Sequence, residues 1–284
     1  MAENGLSIQD SVGAALRFSR EQARFIFTIA ATGAAAAALI SVLALTIPGF
    51  ALLSGLFGGA VQAFVYAAFC AAALGAGDVR ARLAGDGMRV WAAMAVVGFF
   101  LFIVMFVVSI PVMIVMVSGP LAPFLEEMQG AGNDQAAVMD VMTRFAEANP
   151  GALLLAFLFY AVIWFYLTSR LYLAAPASVE RGRILTFDTW NWTNGSALRI
   201  IGARLMVLAP AYVLATALAY LVGRLLGIDA INPDIAAIQA NVAGYAVYAF
   251  VSGFITLGLY SALEAGLSSA LYRRLAPPPA SPQG

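Results

Sequence analysis

Neither histidine nor lysine occurs among the 284 residues, and cysteine occurs once. Without histidine there is no Ser-His or Cys-His nucleophile pair, no HExxH zinc protease and no histidine-ligated zinc, copper or haem. Without lysine there is no Walker A lysine, no Schiff base to pyridoxal phosphate or retinal, and no Ser-Lys dyad. A single Cys70 forms no intramolecular disulfide, CxxC pair or thiolate cluster, and in an apolar helix it reads as inert packing. Charge is scarce as well, at 11% of residues against about 25% in soluble domains. The fifteen bases, all arginine, balance fifteen acids, which leaves no basic footprint for nucleic acid. The expectation is a chain without cofactor or metal and without a catalytic role.

What fills the sequence instead is apolar: 62% of residues, against roughly 45–50% in soluble domains. A membrane-crossing helix needs about 20 mostly apolar residues, so the intervals between charges serve as a ruler. No charge occurs between Arg24 and Asp78, and Ile47-Pro48-Gly49-Phe50 breaks that interval, giving spans over Phe25–Ile47 and Phe50–Leu74. Further spans are expected over Val90–Val117, Ala152–Ala175, Ser196–Leu221 and Val242–Ser268. Pro111 and Pro210 should kink the third and fifth, and Pro176 should stop the fourth. The fold class read from this pattern is all-α: a polytopic membrane protein of six transmembrane helices, one integral domain over residues 1–275, with a Pro-rich tail over 276–284.

Sorting the charges by span gives an orientation. The N-terminal side collects thirteen arginines against eight acids, and the other side Arg144 and Arg224 against seven acids including Asp234. By the positive-inside rule both termini are cytoplasmic, and replacement of lysine by arginine with Ala/Gly richness suits a GC-rich bacterium, hence a bacterial inner membrane. The N-terminal segment is too long and too mixed in charge for a cleavable signal. It reads as an interfacial helix capped by Ser7, with Ile8, Val12, Ala15 and Leu16 opposite Arg17, Arg20 and Arg24. Two more amphipathic pieces are expected. One is Ile184–Trp192, whose indoles suit the head-group level; the other is Asn133–Asn149, with Val138, Val141, Met142 and Phe145 at helical spacing. Asn194 or Ser196 should cap the fifth span. Gly33 with its alanines, and Gly55-x-x-x-Gly59, offer small faces for close packing within the chain, or for dimerisation.

Ionisable groups at membrane depth are the functional candidates. They are Arg170 late in the fourth span, Arg199 and Arg204 at the start of the fifth, Glu264 late in the sixth, and Glu180 between. No aspartate falls in an expected span, which excludes a two-aspartate intramembrane protease. Two readings stay open. Arg170 and Arg204 snorkel to lipid phosphates while Glu264 pairs with whichever arginine is nearest, or the arginines form a pocket for an anionic head group at the cytoplasmic face. A role in organising lipids or partner proteins, as a homo-oligomer or with another membrane protein, is the first functional expectation. A small secondary transporter built on the Arg/Glu site is the alternative.

The run Ser169-Arg170-Leu171-Tyr172-Leu173-Ala174-Ala175-Pro176-Ala177-Ser178-Val179-Glu180-Arg181-Gly182, followed by Trp190 to Arg199 and a new apolar helix, resembles the membrane domain of bacterial glycerophosphoryl diester phosphodiesterases and related six-span proteins. Arg170, Pro176 and Glu180 are the matching positions. The resemblance implies a free-standing membrane domain without the catalytic one, since a His-free chain cannot hold that enzyme's histidines.

Overall fold

The computed structural model describes residues 7–132, 134–230 and 235–278; Asn133, Asp234 and the tail from Pro279 lie outside the described residues. Every regular element among them is helical, and six helices are long and apolar enough to cross a membrane. The chain is a multi-span helical membrane protein. Its helices are α1 (Ile8–Glu21), α2 (Ala23–Thr46), α3 (Ala51–Leu74), α4 (Val79–Ser118), α5 (Leu125–Ala131), α6 (Gln135–Ala148) and α7 (Pro150–Arg170). There follow α8 (Ala174–Arg181), α9 (Asp188–Trp192), α10 (Ala197–Leu225), α11 (Ile235–Ala240), α12 (Val242–Ile255) and α13 (Ala262–Leu275), the last two joined by a π-helical turn over Thr256–Ser261. Two compact units result: residues up to Val96 with those from Ser169 onward, and residues 97–168.

Several expected boundaries move: the fifth span runs to Leu225 rather than Leu221 and the sixth to Leu275 rather than Ser268. The third span was placed from Val90, with residues 75–89 as a loop; α4 instead starts at Val79 and runs 40 residues through Pro111. At about 1.5 Å per residue that is roughly twice the ~30 Å hydrocarbon thickness, so its charged first turns extend beyond the apolar part. Charges tolerated there pair along the helix, as described below. The fourth apolar stretch covers Pro150–Arg181, broken after Arg170 into α7 and α8; Pro176, expected to stop it, lies inside the first turn of α8, where a missing N–H costs nothing.

In the larger unit α13 is the hub. Ala262 and Ala265 belong to one apolar cluster with Ala30, Ala34, Phe69, Val90 and Val179. Leu263, Leu267 and Leu271 belong to a second with Ala15, Ile200, Ala203 and Val207. Small residues set the approach distances. A methyl built on Gly33 of α2 would lie 2.5 Å from Val65 Cγ2 of α3, and one on Gly266 of α13 would lie 3.0 Å from the Phe18 ring and 3.1 Å from Ala15 Cα of α1. Gly55 and Gly59, by contrast, have nothing within 4 Å, so among the described residues the Gly-x-x-x-Gly face is not a packing contact. Helix α1 is capped by Ser7, whose Oγ accepts from the Asp10 N–H at 3.3 Å. It docks through the fully buried Ser11 and Ala15 while Leu16 stays 55% exposed.

The smaller unit carries α5 and α6. Asp134 caps α6 by accepting from the Ala136 and Ala137 N–H groups. Val141 and Phe145 are buried, Phe145 edge-on to Phe124 at 5.6 Å. Arg144 bridges Glu127 at 2.7 Å and Asp140 at 3.2 Å, and Glu127 above all holds its guanidinium pKa above the ordinary value.

The glycine geometry predicts a contrast. Gly33→Ala and Gly55→Ala gain the same helix propensity, about 1 kcal/mol, but only the first overpacks a neighbour, at about 1–3 kcal/mol. Unfolding in detergent should therefore place Gly33→Ala about 1–3 kcal/mol below Gly55→Ala; equal stabilities would contradict the tight α2–α3 approach.

Candidate functional site

Helix α7 ends at Arg170, and the corner between α9 and α10 closes over that end. Thr193, fully buried, donates its hydroxyl to the Arg170 carbonyl at 2.9 Å. Gly195, with φ +73°, then turns the chain into α10. This places Trp190 and Asn194 beside the Arg170 guanidinium: Nη1 donates to Asn194 Oδ1 at 3.1 Å, and the guanidinium carbon lies 4.8 Å from the Trp190 ring centre. Asn194 was expected to cap α10. Its side chain serves Arg170 instead, while Ser196 holds the cap position without a side-chain hydrogen bond.

Arg170 is 5% exposed, and its Nε has no hydrogen-bond partner among the described residues. No carboxylate oxygen among those residues lies within 4.0 Å of it. A ring face returns about 2 kcal/mol when desolvated and one charge-assisted hydrogen bond roughly 1.5–3 kcal/mol. Taking a guanidinium out of water costs several kcal/mol. Without a counter-charge the compensation is incomplete.

Arg204, in the second turn of α10, donates from Nη1 to Ser169 Oγ at 3.1 Å and lies 4.7 Å over the Tyr172 ring. The Tyr172 hydroxyl reaches across to the Glu264 carbonyl at 3.5 Å, a long contact. Glu264 itself is partly buried in the first turn of α13, directly after the π-helical segment. Its carboxylate feels Arg204, Tyr172 and Tyr260 through space. Among the described residues, however, no arginine nitrogen comes within 4.0 Å of it and nothing donates a hydrogen bond to it. The expected Arg170–Glu264 or Arg204–Glu264 ion pair is therefore not formed. Of the five candidates, Arg204 lies at Ser169 and Tyr172, with the Glu264 backbone at Tyr172; Arg170 sits at Asn194 and Trp190, and Glu180 and Arg199 are exposed.

One charged group escaped the sequence reading. Asp86, 1% exposed in the second turn of α4, sits between Arg82 Nε at 3.1 Å and Arg89 Nη1 at 2.9 Å. The Arg82 contact is ionic, since Asp86 Oδ2 has no aligned hydrogen bond. Arg82 also donates to the Ala76 carbonyl at 3.0 Å and the Val179 carbonyl at 2.8 Å, tying α4 to the ends of α3 and α8. The spacing Arg82-x-x-x-Asp86-x-x-Arg89 is the signal that marks a helix face. The Trp192 ring faces the Arg181 guanidinium at 5.6 Å, and Arg181 Nε donates to Tyr272 Oη at 3.0 Å.

No protein-family model, curated protein or solved structure matches this chain.

Because Arg82 and Arg89 are each more than one-third exposed, water screens them when Asp86 is removed. Asp86→Ala should then cost about 1–3 kcal/mol, less than the 3–5 kcal/mol typical of breaking a fully buried pair. Chemical unfolding in detergent checks this; an unchanged midpoint would show that the clamp does not hold α4, α3 and α8 together.

Proposed function

We propose that this chain is a non-catalytic membrane protein that binds phospholipid head groups at the arginine-rich end of its larger unit and thereby organises lipids around itself or a partner. The observation that carries the reading is Arg170: a guanidinium 5% exposed, with Nε unpartnered and no carboxylate near it among the described residues. A phosphate is the group that matches such a donor fork, because charge-assisted N–H···O bonds to phosphate are both strong and geometrically suited to arginine. The neighbourhood supports this. Arg204 brings a second positive charge to Ser169, the chain neighbour of Arg170, and Trp190 walls the Arg170 guanidinium on its flat face. Basic pockets between spans are a recurrent way of holding head groups.

Arginine counting supports a cytoplasmic location for this end, which would put the site at the inner leaflet of a bacterial inner membrane. Contacts inside the larger unit support the gathering of its basic residues. Arg273 donates to the Ala73 carbonyl at 3.0 Å, and Arg274 lies 3.4 Å from Asp10 and donates to the Ser7 carbonyl. The start of α1, the end of α3 and the end of α13 therefore lie together. The missing histidine and lysine support the non-catalytic part. A second reading, a small transporter, draws on the π-helical turn over Thr256–Ser261 directly before Glu264, since such turns are frequent at functional sites. Flux across proteoliposomes that Glu264→Gln abolishes would favour it over the first.

The test is retention of lipid by delipidated protein, read by native mass spectrometry, for phospholipids against a phosphate-free diacylglycerol. Phospholipids should be retained preferentially, and Arg170→Ala should weaken that retention by tenfold or more, the size of one charge-assisted hydrogen bond at roughly 1.5–3 kcal/mol. Arg170→Lys, which keeps the charge and loses the fork, should fall between. Equal retention of diacylglycerol, or indifference to Arg170→Ala, would sink the reading.

A further inference from the structure

The exposed side of α1 carries charge that the protein leaves unpaired. Arg17 and Arg20 on α1 and Arg24 in the first turn of α2 are all exposed. Among the described residues no carboxylate lies within 4.0 Å of their guanidinium groups and no side-chain hydrogen bond engages them. Steps of three and four residues bring successive side chains to one helix face. The helical path crosses the elbow between α1 and α2, where the Gln22 N–H donates to the Phe18 carbonyl and the Ile26 N–H to the Gln22 carbonyl, each at 2.9 Å. The three arginines therefore form one row. The acid within it is Glu21, also exposed, so three positive charges stand beside one negative. At the end of α13 the opposite holds: Arg273 is engaged by the Ala73 carbonyl, and Arg274 by Asp10 and the Ser7 carbonyl.

The other side of α1 is occupied by protein. Its apolar stripe, expected to lie in the membrane surface, packs inward instead: Ile8, Val12 and Ala15 join the cluster of Ile200, Ala203 and Leu267 from α10 and α13. Methyls built on Gly202 and Gly266 would lie 3.3 Å from Ile8 Cδ1 and 3.1 Å from Ala15 Cα. Helix α1 is thus held against two spans with its arginine row turned outward. What covers the row follows from where it ends. Helix α2 has 24 residues, about 36 Å at ~1.5 Å per residue, against roughly 30 Å of hydrocarbon. Arg24, its second residue, therefore stands at head-group level. Leu16 and Phe27, 55% and 63% exposed, flank the row with apolar side chains. Such flanks suit the boundary between head groups and acyl chains, and an acidic soluble partner would have no use for them.

We propose that Arg17, Arg20 and Arg24 form a docking surface for anionic lipid head groups, which bring phosphate oxygens and a net negative charge to the row. The surface is separate from Arg170 and does not rest on the reading given for it. A zwitterionic head group carries an ammonium beside its phosphate and gains little from an open row of positive charges, whereas phosphatidylglycerol keeps its full negative charge. Each basic residue close to an anionic surface is worth roughly fivefold in lipid association, and exposed charges lose that advantage as salt shortens the screening length. Anionic selectivity and salt sensitivity are therefore expected together.

For the test, the full-length protein carries a fluorophore on Leu16→Cys in a Cys70→Ala background. It is reconstituted in vesicles of phosphatidylcholine and phosphatidylglycerol, one of the two having brominated acyl chains that quench the fluorophore. Comparing the two brominated lipids gives the local enrichment at the row. Phosphatidylglycerol should be enriched about five- to tenfold at low salt, and the enrichment should fall toward the bulk ratio at roughly 0.5 M salt. Joint replacement by Arg17→Gln, Arg20→Gln and Arg24→Gln, its fold checked by the unfolding temperature, should abolish the enrichment, whereas Arg170→Gln should leave it unchanged. Equal quenching by the two lipids at low salt, enrichment that survives the triple replacement, or enrichment indifferent to salt overturns the proposal. If only Arg170→Gln removes the enrichment, the anionic lipid sits at Arg170; the row proposal falls and the phospholipid reading stands. Binding of polyglutamate to the solubilised protein through the same three arginines, without lipid enrichment, overturns the lipid assignment in favour of an acidic protein segment.

Discussion

A guanidinium removed from water needs a counter-charge or a set of acceptors, and four arginines of the larger unit, Arg273 and Arg274 among them at its exposed rim, find such partners. Arg82 is met by Asp86 and by the carbonyls of Ala76 and Val179, and Arg273 by the Ala73 carbonyl. Arg274 is met by Asp10 and the Ser7 carbonyl, and Arg181 by Tyr272, the Trp192 face and the Pro277 carbonyl. Two of these acceptors, the Ala73 and Val179 carbonyls, lie in the last turns of α3 and α8, where carbonyls lack intrahelical partners and carry the negative end of the helix dipole. Arginines therefore satisfy the ends of α3 and α8 while those ends satisfy the arginines. Arg170 is the departure: it receives an amide oxygen and an indole face but no anion, and the functional reading grows from that difference.

The packing explains why the difference persists. Helix α13 is held on both sides, by alanines against α2 and α3 and by leucines against α1 and α10. It also carries the buried Ser268, whose Oγ lies 2.9 Å from Tyr66 Oη. Glu264 therefore sits on a helix with little freedom to rotate toward Arg204. The close approach of α1 at Gly266, where a methyl would meet Ala15 and Phe18, holds the same helix from the other side. On the arginine side, Thr193 fixes the α7 end through its bond to the Arg170 carbonyl. Opposite charges are thus kept at separate positions by backbone-level contacts rather than by their own side chains.

Much of the architecture was legible in the sequence because membrane helices announce themselves by length. The hairpin break at Pro48-Gly49, the Ser7 cap and the amphipathic α6 follow from residue type and spacing alone. The start of α4 did not, because a ruler based on charge reads Arg80, Arg82, Asp86 and Arg89 as a loop, whereas three of them neutralise one another on one helix face. Glycine spacing was ambiguous for a similar reason. Gly33 and Gly55 look alike in sequence, but only Gly33 faces a neighbour at 2.5 Å, and which face of a lipid-exposed helix is covered depends on tertiary packing. At the site, the residue types were legible and their pairing was not. Arg170, Arg204 and Glu264 were expected to neutralise each other by proximity; their separation depends on Tyr172, Asn194 and Trp190, whose contributions arise from the fold of a corner that sequence periodicity does not describe.

The central claim is that the protein itself supplies no counter-ion for Arg170, and a double-mutant cycle addresses it without any ligand. Unfolding free energies would be measured in lipid-free detergent for the wild type, Arg170→Ala, Glu264→Ala and the double variant. Charges that are not partners should give additive effects, within about 0.3–0.5 kcal/mol. A coupling energy above about 1 kcal/mol would show that Arg170 and Glu264 neutralise each other and would contradict the claim.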